Sequence, residues 1–131
     1  DEDDLCVFFV HAHTHTHTHD RNDIHRNVHV LTVTLTFESE SDKESYKSYW
    51  APLAKKVKAL ESNCLSYEWL DSTEDVKKAM IFERYVTKRD LDTEHQETLK
   101  EFKKNITTPP PRALDSDFAH YQESNTGYMS K

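Results

Sequence analysis

The run Val28-His29-Val30-Leu31-Thr32-Val33-Thr34-Leu35-Thr36-Phe37 sets Val28, Val30, Thr32, Thr34 and Thr36 on one side of an extended chain and His29, Leu31, Val33, Leu35 and Phe37 on the other. A period of two carried by β-branched residues predicts a long strand whose odd-numbered face is the more apolar. Downstream the period changes. Tyr46, Tyr49, Trp50, Leu53, Val57 and Leu60 recur at helical spacing, while Lys47, Lys55, Lys56 and Lys58 fall largely off that stripe. This predicts an amphipathic helix of about 18 residues, capped by Ser41 or Asp42, with Pro52 marking a kink or a first-turn irregularity.

Residues 64–70 alternate again, the turn-forming Asp71-Ser72-Thr73-Glu74-Asp75 follows, and residues 78–86 read as a partner strand, so the two form an antiparallel hairpin. Leu91, His95, Thr98 or Leu99, Phe102 and Ile106 then mark a second helix with a narrower stripe, and Pro109-Pro110-Pro111 stops it. Residues 113–122 supply one further short strand. The order βαββαβ is an α+β, ferredoxin-like arrangement, an antiparallel sheet with two helices on one face. Its other face must be buried as well, with Trp69, Phe82 and Tyr85 among the residues available, and a second copy of the chain is the economical cover.

Around this unit the composition shifts. The chain has 131 residues, enough for one domain with tails, and only 35% are hydrophobic. Residues 1–27 form an acidic, His-rich extension, 28–106 the α+β domain, and 107–131 a Pro-rich C-terminal segment. The net charge of −7 is uneven: residues 1–27 hold six acids against two Arg, and residues 28–106 hold fifteen acids against thirteen bases. Neither a basic stripe nor an aromatic-glycine RNA motif is present, so no nucleic-acid partner is expected. The apolar run at 5–10 is too short to span a bilayer and is flanked by acids, so no membrane partner is expected either. The first residue is not Met, as in a trimmed product whose targeting segment has gone. Gly127 is the only glycine, which excludes phosphate-cradling loops and nucleophile elbows. Cys6 and Cys64 allow one bridge at most and leave the compartment open.

Residues 11–19 alternate His11, His13, His15, His17 and His19 with Ala or Thr. Composition favours a loosely ordered polar extension, but in an extended chain the five imidazoles share one face that suits adventitious divalent Zn²⁺, Ni²⁺ or Cu²⁺.

Three short motifs carry a family resemblance. Asn63-Cys64-Leu65-Ser66-Tyr67-Glu68 resembles the "pGclsYel" segment of the antibiotic-biosynthesis-monooxygenase family, with Asn63 where Gly is usual. Phe82-Glu83-Arg84-Tyr85 resembles its "yErW" strand, with Tyr85 in place of Trp, and Leu91-Asp92-Thr93-Glu94-His95-Gln96-Glu97-Thr98 resembles its "alDaH..T" helix with one extra residue before the histidine. Lys100 stands where many members carry a second His. The resemblance implies a dimeric α+β barrel and a homodimer. It also implies a monooxygenase that works on a quinol or another electron-rich small aromatic molecule without cofactor, the substrate supplying electrons to O₂. Other members have no known activity, and an alternative is a non-catalytic dimeric module that binds a ligand or metal.

Within that frame His95 is the candidate general base, with Tyr85 and Glu83 as catalytic neighbours. Glu83 shares a sheet face with Tyr85 and would either tune a proton acceptor or hold an Arg. Trp69 and Tyr67 are candidate walls that stack on a planar substrate, or simple core packing, and Tyr49 and His29 are further polar groups on the inward faces. Haem-degrading relatives ligate iron with a histidine on this helix but also use a Trp in the preceding strand and an Asn in the first strand. This chain offers Tyr85 and no such Asn, so haem is not expected.

Overall fold

The structure, a computed structural model, describes residues 27–131; His11, His13, His15, His17, His19 and Cys6 lie outside them. The elements are β1 (His29–Thr36), α1 (Glu40–Leu60), β2 (Cys64–Asp71), β3 (Lys78–Tyr85), α2 (Lys88–Asp90), a π-helical turn (Leu91–His95), α3 (Gln96–Lys104) and β4 (Asp115–Gln122). They form one antiparallel sheet in the order β2-β3-β1-β4, the ferredoxin-like βαββαβ arrangement.

The alternation of β1 does what its sequence requires. Leu31, Val33, Leu35 and Phe37 are fully buried, and from β3 Ala79 and Ile81 join them on the same face. Against that face α1 lays Lys43, Tyr46, Trp50, Leu53 and Val57. Each large side chain so buried stabilises by about 1.5–3 kcal/mol. The helix starts earlier than the pattern of residues predicts, because Ser39, not Ser41 or Asp42, is the cap: its hydroxyl accepts from the Asp42 backbone N–H at 3.1 Å. It is 21 residues long and carries Pro52 in its interior.

The second helical run, 88–104, opens on a capping box in which Thr87 and Asp90 satisfy each other's backbone N–H groups. Asn63 reaches across to it, donating from Nδ2 to Asp90 Oδ1 at 3.1 Å. The π-helical turn follows. Such a turn absorbs one surplus residue without rotating the helix on either side, so the extra residue before His95 leaves Leu91, His95 and Leu99 all buried on one stripe.

The opposite sheet face carries Val30, Thr32, Thr34, Met80, Phe82, Arg84, Ser66, Leu70, Ala119 and Tyr121, and no element of the described residues covers it. Of the three aromatics expected there, only Phe82 is on that side. Trp69 and Tyr85 pair in register with Ile81 and with His29 and point into the helix-covered core, as strand parity demands.

Candidate active site

Three elements bring an ionisable side chain into one region of the core where their pattern calls for an apolar one. Along α1 the buried stripe Tyr46, Trp50, Leu53, Val57 continues by one turn to Glu61, the C-cap residue. Along β3 the buried face Ala79, Ile81, Tyr85 includes Glu83, and along the second helical run Leu91 and Leu99 bracket His95. Glu61, Glu83 and His95 are only 3%, 4% and 2% exposed, so their charges cannot be left to solvent and must answer one another.

They do so in a line. His95 Nδ1 lies 3.1 and 3.0 Å from the two oxygens of Glu61. A carboxylate accepts, so the hydrogen sits on Nδ1 and Nε2 is left facing Glu83 Oε1 at 3.6 Å, too long for a hydrogen bond but close enough for strong charge coupling. The Tyr85 hydroxyl donates to that same Glu83 oxygen at 2.6 Å. Burial holds the Glu83 carboxyl above its ordinary pKa, the nearby His95 and the Tyr85 hydrogen bond offset this in part, and the charge of Glu61 adds to it. Burial, then the Glu83 charge, pushes the Tyr85 phenol well above its usual range, so Tyr85 remains a donor. The result is a relay of groups, Glu61, His95, Glu83 and Tyr85, hydrogen-bonded within its two end pairs and joined in the middle by the 3.6 Å approach of His95 to Glu83.

Aromatic rings enclose it. Tyr67 meets His95 edge-on with centroids 5.2 Å apart, and Tyr85 lies at 5.4 Å. Trp50 stacks on Tyr67 at 4.9 Å and leads on to Trp69 at 5.7 Å. The buried Trp50 indole N–H lies near the Tyr67 phenol without forming a hydrogen bond of acceptable geometry. Cys64 adjoins the carboxylates; burial and their charges push its thiol up to about 12.

Of the residues named from sequence, His95, Glu83, Tyr85 and Tyr67 come together and Trp69 stands behind them in the aromatic row. Two do not join. Tyr49 packs edge-on against Phe102, and His29, although opposite Tyr85 in register, turns its ring to His120 on β4. Glu61 and Trp50 escaped the sequence reading; for Glu61 the signal was its place four residues after Val57 on the apolar stripe. Among the described residues no cluster of three or more His, Cys, Asp or Glu is arranged to hold a metal ion, and no helix is long and apolar enough to cross a membrane.

No protein-family model matches the chain, and neither does any curated protein. Solved structures do. One from Caulobacter crescentus CB15, provisionally named an antibiotic biosynthesis monooxygenase, is 19% identical, with 74% of this chain and 90% of that one covered and a TM-score of 0.61. Another with the same provisional name, from Bacteroides thetaiotaomicron VPI-5482, is 17% identical over 81% and 98%, with a TM-score of 0.62. A conserved protein from Methanosarcina mazei Go1 is 12% identical over 78% and 98%, with a TM-score of 0.60. This chain therefore has the fold of structures that carry that name, as the three sequence motifs imply; at such identities the likeness is one of fold.

Proposed function

We propose that the protein is a cofactor-independent monooxygenase acting on a hydroquinone or a similarly electron-rich phenol, and that it works as a homodimer. The observation that supports this best is the buried relay. Two carboxylates and an imidazole buried in a core cost folding stability, which marks them as candidates for a functional role, and a base beside a carboxylate whose proton affinity is raised is what hydroxyl deprotonation needs.

In this reading Glu61 fixes the ring and tautomer of His95, and Nε2 removes a proton from a substrate hydroxyl, which Glu83 and Tyr85 then help to share. The phenolate is electron-rich enough to reduce O₂. One oxygen atom bonds to the ring and the other leaves as water, so that a hydroquinone and O₂ give a hydroxyquinone and water, all four electrons coming from the substrate. No metal, flavin or haem enters this balance. Tyr67 and Trp50 stack on the aromatic ring. Since His95 is closed from solvent, substrate reaches Nε2 only when the half-buried Tyr67 swings aside.

An oxygen electrode with a panel of hydroquinones tests this. The unchanged chain consumes O₂ in a one-to-one ratio with quinol, and His95→Ala lowers kcat by about 10²–10⁴. Equal rates from both chains, or no consumption with any electron-rich phenol, overturn it. The sealing of His95 favours a second reading, a dimeric module that binds such a molecule without oxidising it, which the same experiment separates by binding without O₂ uptake.

A further inference from the structure

One buried donor is left over beside the relay. The Trp50 indole N–H, on a residue only 5% exposed, has no hydrogen-bond partner among the described residues, although such donors are almost always satisfied in a folded core. Beside it lies the Tyr67 phenol, whose ring stacks on Trp50 with centroids 4.9 Å apart and 26° between the planes. We propose that the place now held by the Tyr67 ring is the seat of the substrate's own ring, that the Trp50 N–H holds its phenolic oxygen there, and that the substrate is a single-ring phenol. Such a seat rests on the proposed function only in that the site takes a phenol; the phenol need not be oxidised.

Of the two rings against His95, Tyr67 is the one placed to leave. Tyr85 is fully buried and tied to Glu83, whereas Tyr67 is half-buried on β2, an edge strand. It stands opposite Glu83 in register, meets His95 edge-on at 5.2 Å and covers Trp50 with its face. A phenol in its place meets the same three groups. Tyr67 itself meets them imperfectly, because its ring is tethered to the β2 backbone and its hydroxyl does not line up with the Trp50 N–H. A free phenol carries no tether and can turn until that bond is straight. Its binding exchanges an unsatisfied donor for a satisfied one, and Tyr67, moved outward, closes over the other face of the ring.

The same donor suits the chemistry. Burial above all, then the charge of Glu83, raises the Tyr67 phenol well above its usual range, and of the neighbouring groups that act on its proton affinity through charge or hydrogen bonding only Trp50 lowers it. An oxygen that gives up its proton in this seat therefore has the Trp50 N–H as its stabilising contact. Shape narrows the class. Behind Trp50 the core closes, with Trp69 at 5.7 Å from Trp50 and 6.0 Å from the fully buried Tyr46, so the seat holds one ring and excludes fused ones. A para substituent, a second hydroxyl included, points outward along the path by which Tyr67 reaches its backbone.

The test reads the indole N–H signals of the two Trp residues by ¹⁵N nuclear magnetic resonance on the full chain. Trp69 donates to Asp71 Oδ1 at 2.9 Å and serves as the fixed reference, and Trp69→Phe assigns the pair. Hydroquinone is expected to move the Trp50 signal and leave that of Trp69 in place. In Tyr67→Ala, which empties the seat, phenol is expected to bind at least about fivefold more tightly than benzene, the worth of one net hydrogen bond, even though transfer out of water favours benzene. Benzene bound as tightly as phenol overturns the role of Trp50, and naphthol bound as tightly as phenol overturns the single-ring limit. Oxygen uptake with hydroquinone while the Trp50 signal stays unmoved overturns the seat and leaves the proposed oxidation standing. A moved Trp50 signal without oxygen uptake supports the seat and counts against oxidation.

Discussion

Glu83 shows how a single residue sets stability and chemistry against each other. Its carboxyl has a raised pKa in the folded chain, chiefly through burial. Below the ordinary carboxylate value both folded and unfolded chains hold the proton, and the group adds nothing. As pH rises past that value the unfolded chain ionises first, so stability falls until the folded carboxyl has also ionised. Glu83→Gln removes this slope while its amide oxygen still accepts from Tyr85. Urea unfolding at pH 8 is expected to find the variant the more stable of the two, with oxygen uptake reduced; a variant less stable than the unchanged chain at pH 8 contradicts the sign. At this scale the sequence was only partly legible. Glu83 and His95 could be named because each stands in a motif that carries the family resemblance, but Glu61 lies beyond the last apolar residue of its helix, where a carboxylate looks like an ordinary helix end. That His29 turns to His120 depends on which strand becomes its neighbour, and strand order is not written in any local pattern.

At the scale of the element, the π-helical turn is the informative feature. Both flanks of the turn keep their buried stripe, so the surplus residue is confined to Leu91–His95. Deleting the exposed Thr93 should convert the run to continuous α-helix and leave Leu91 and Leu99 in place, with a thermal midpoint unchanged or slightly higher. Deleting Lys100 from α3 instead turns every later residue by about 100° about the axis. Phe102 and Ile106, which pack against the core, then rotate away, at a cost of about 2–4 kcal/mol. If both deletions prove equally damaging, the turn is no insertion. Element types and their order were readable from the periods of two and 3.6 residues, whereas boundaries slipped: the cap fell at Ser39 because the hydroxyl nearest the first turn wins, and sequence alone offers several.

For the whole molecule, the sheet face bearing Val30, Thr34, Met80 and Phe82 bears on assembly. Leu70 and Tyr121 at its rims are 44% and 58% exposed, apolar surface that a second copy would cover. Phe82→Glu, placed at the centre of that face, is expected to halve the mass seen by light scattering while leaving the circular dichroism spectrum intact; an unchanged mass refutes assembly through this face. That the two helices shield only one side of the sheet was legible from the order of the elements. The identity of the covering residues was not, because the β2 register carries a shift between Cys64 and Ser66 that alternation alone cannot place. One further consequence lies in how β1 and β4 meet. The Glu123 backbone N–H donates to Val28 O at 2.9 Å and the Gln122 side chain to Asn27 at 2.6 Å, so the start and finish of the sheet lie side by side. A short peptide could join them, and new termini could be opened in the exposed turn at Glu74. Such a circular permutant should fold to the same structure and do so faster in stopped-flow refolding, because the longest loop closure in the molecule, the one that brings β4 to β1, becomes a connection between neighbours.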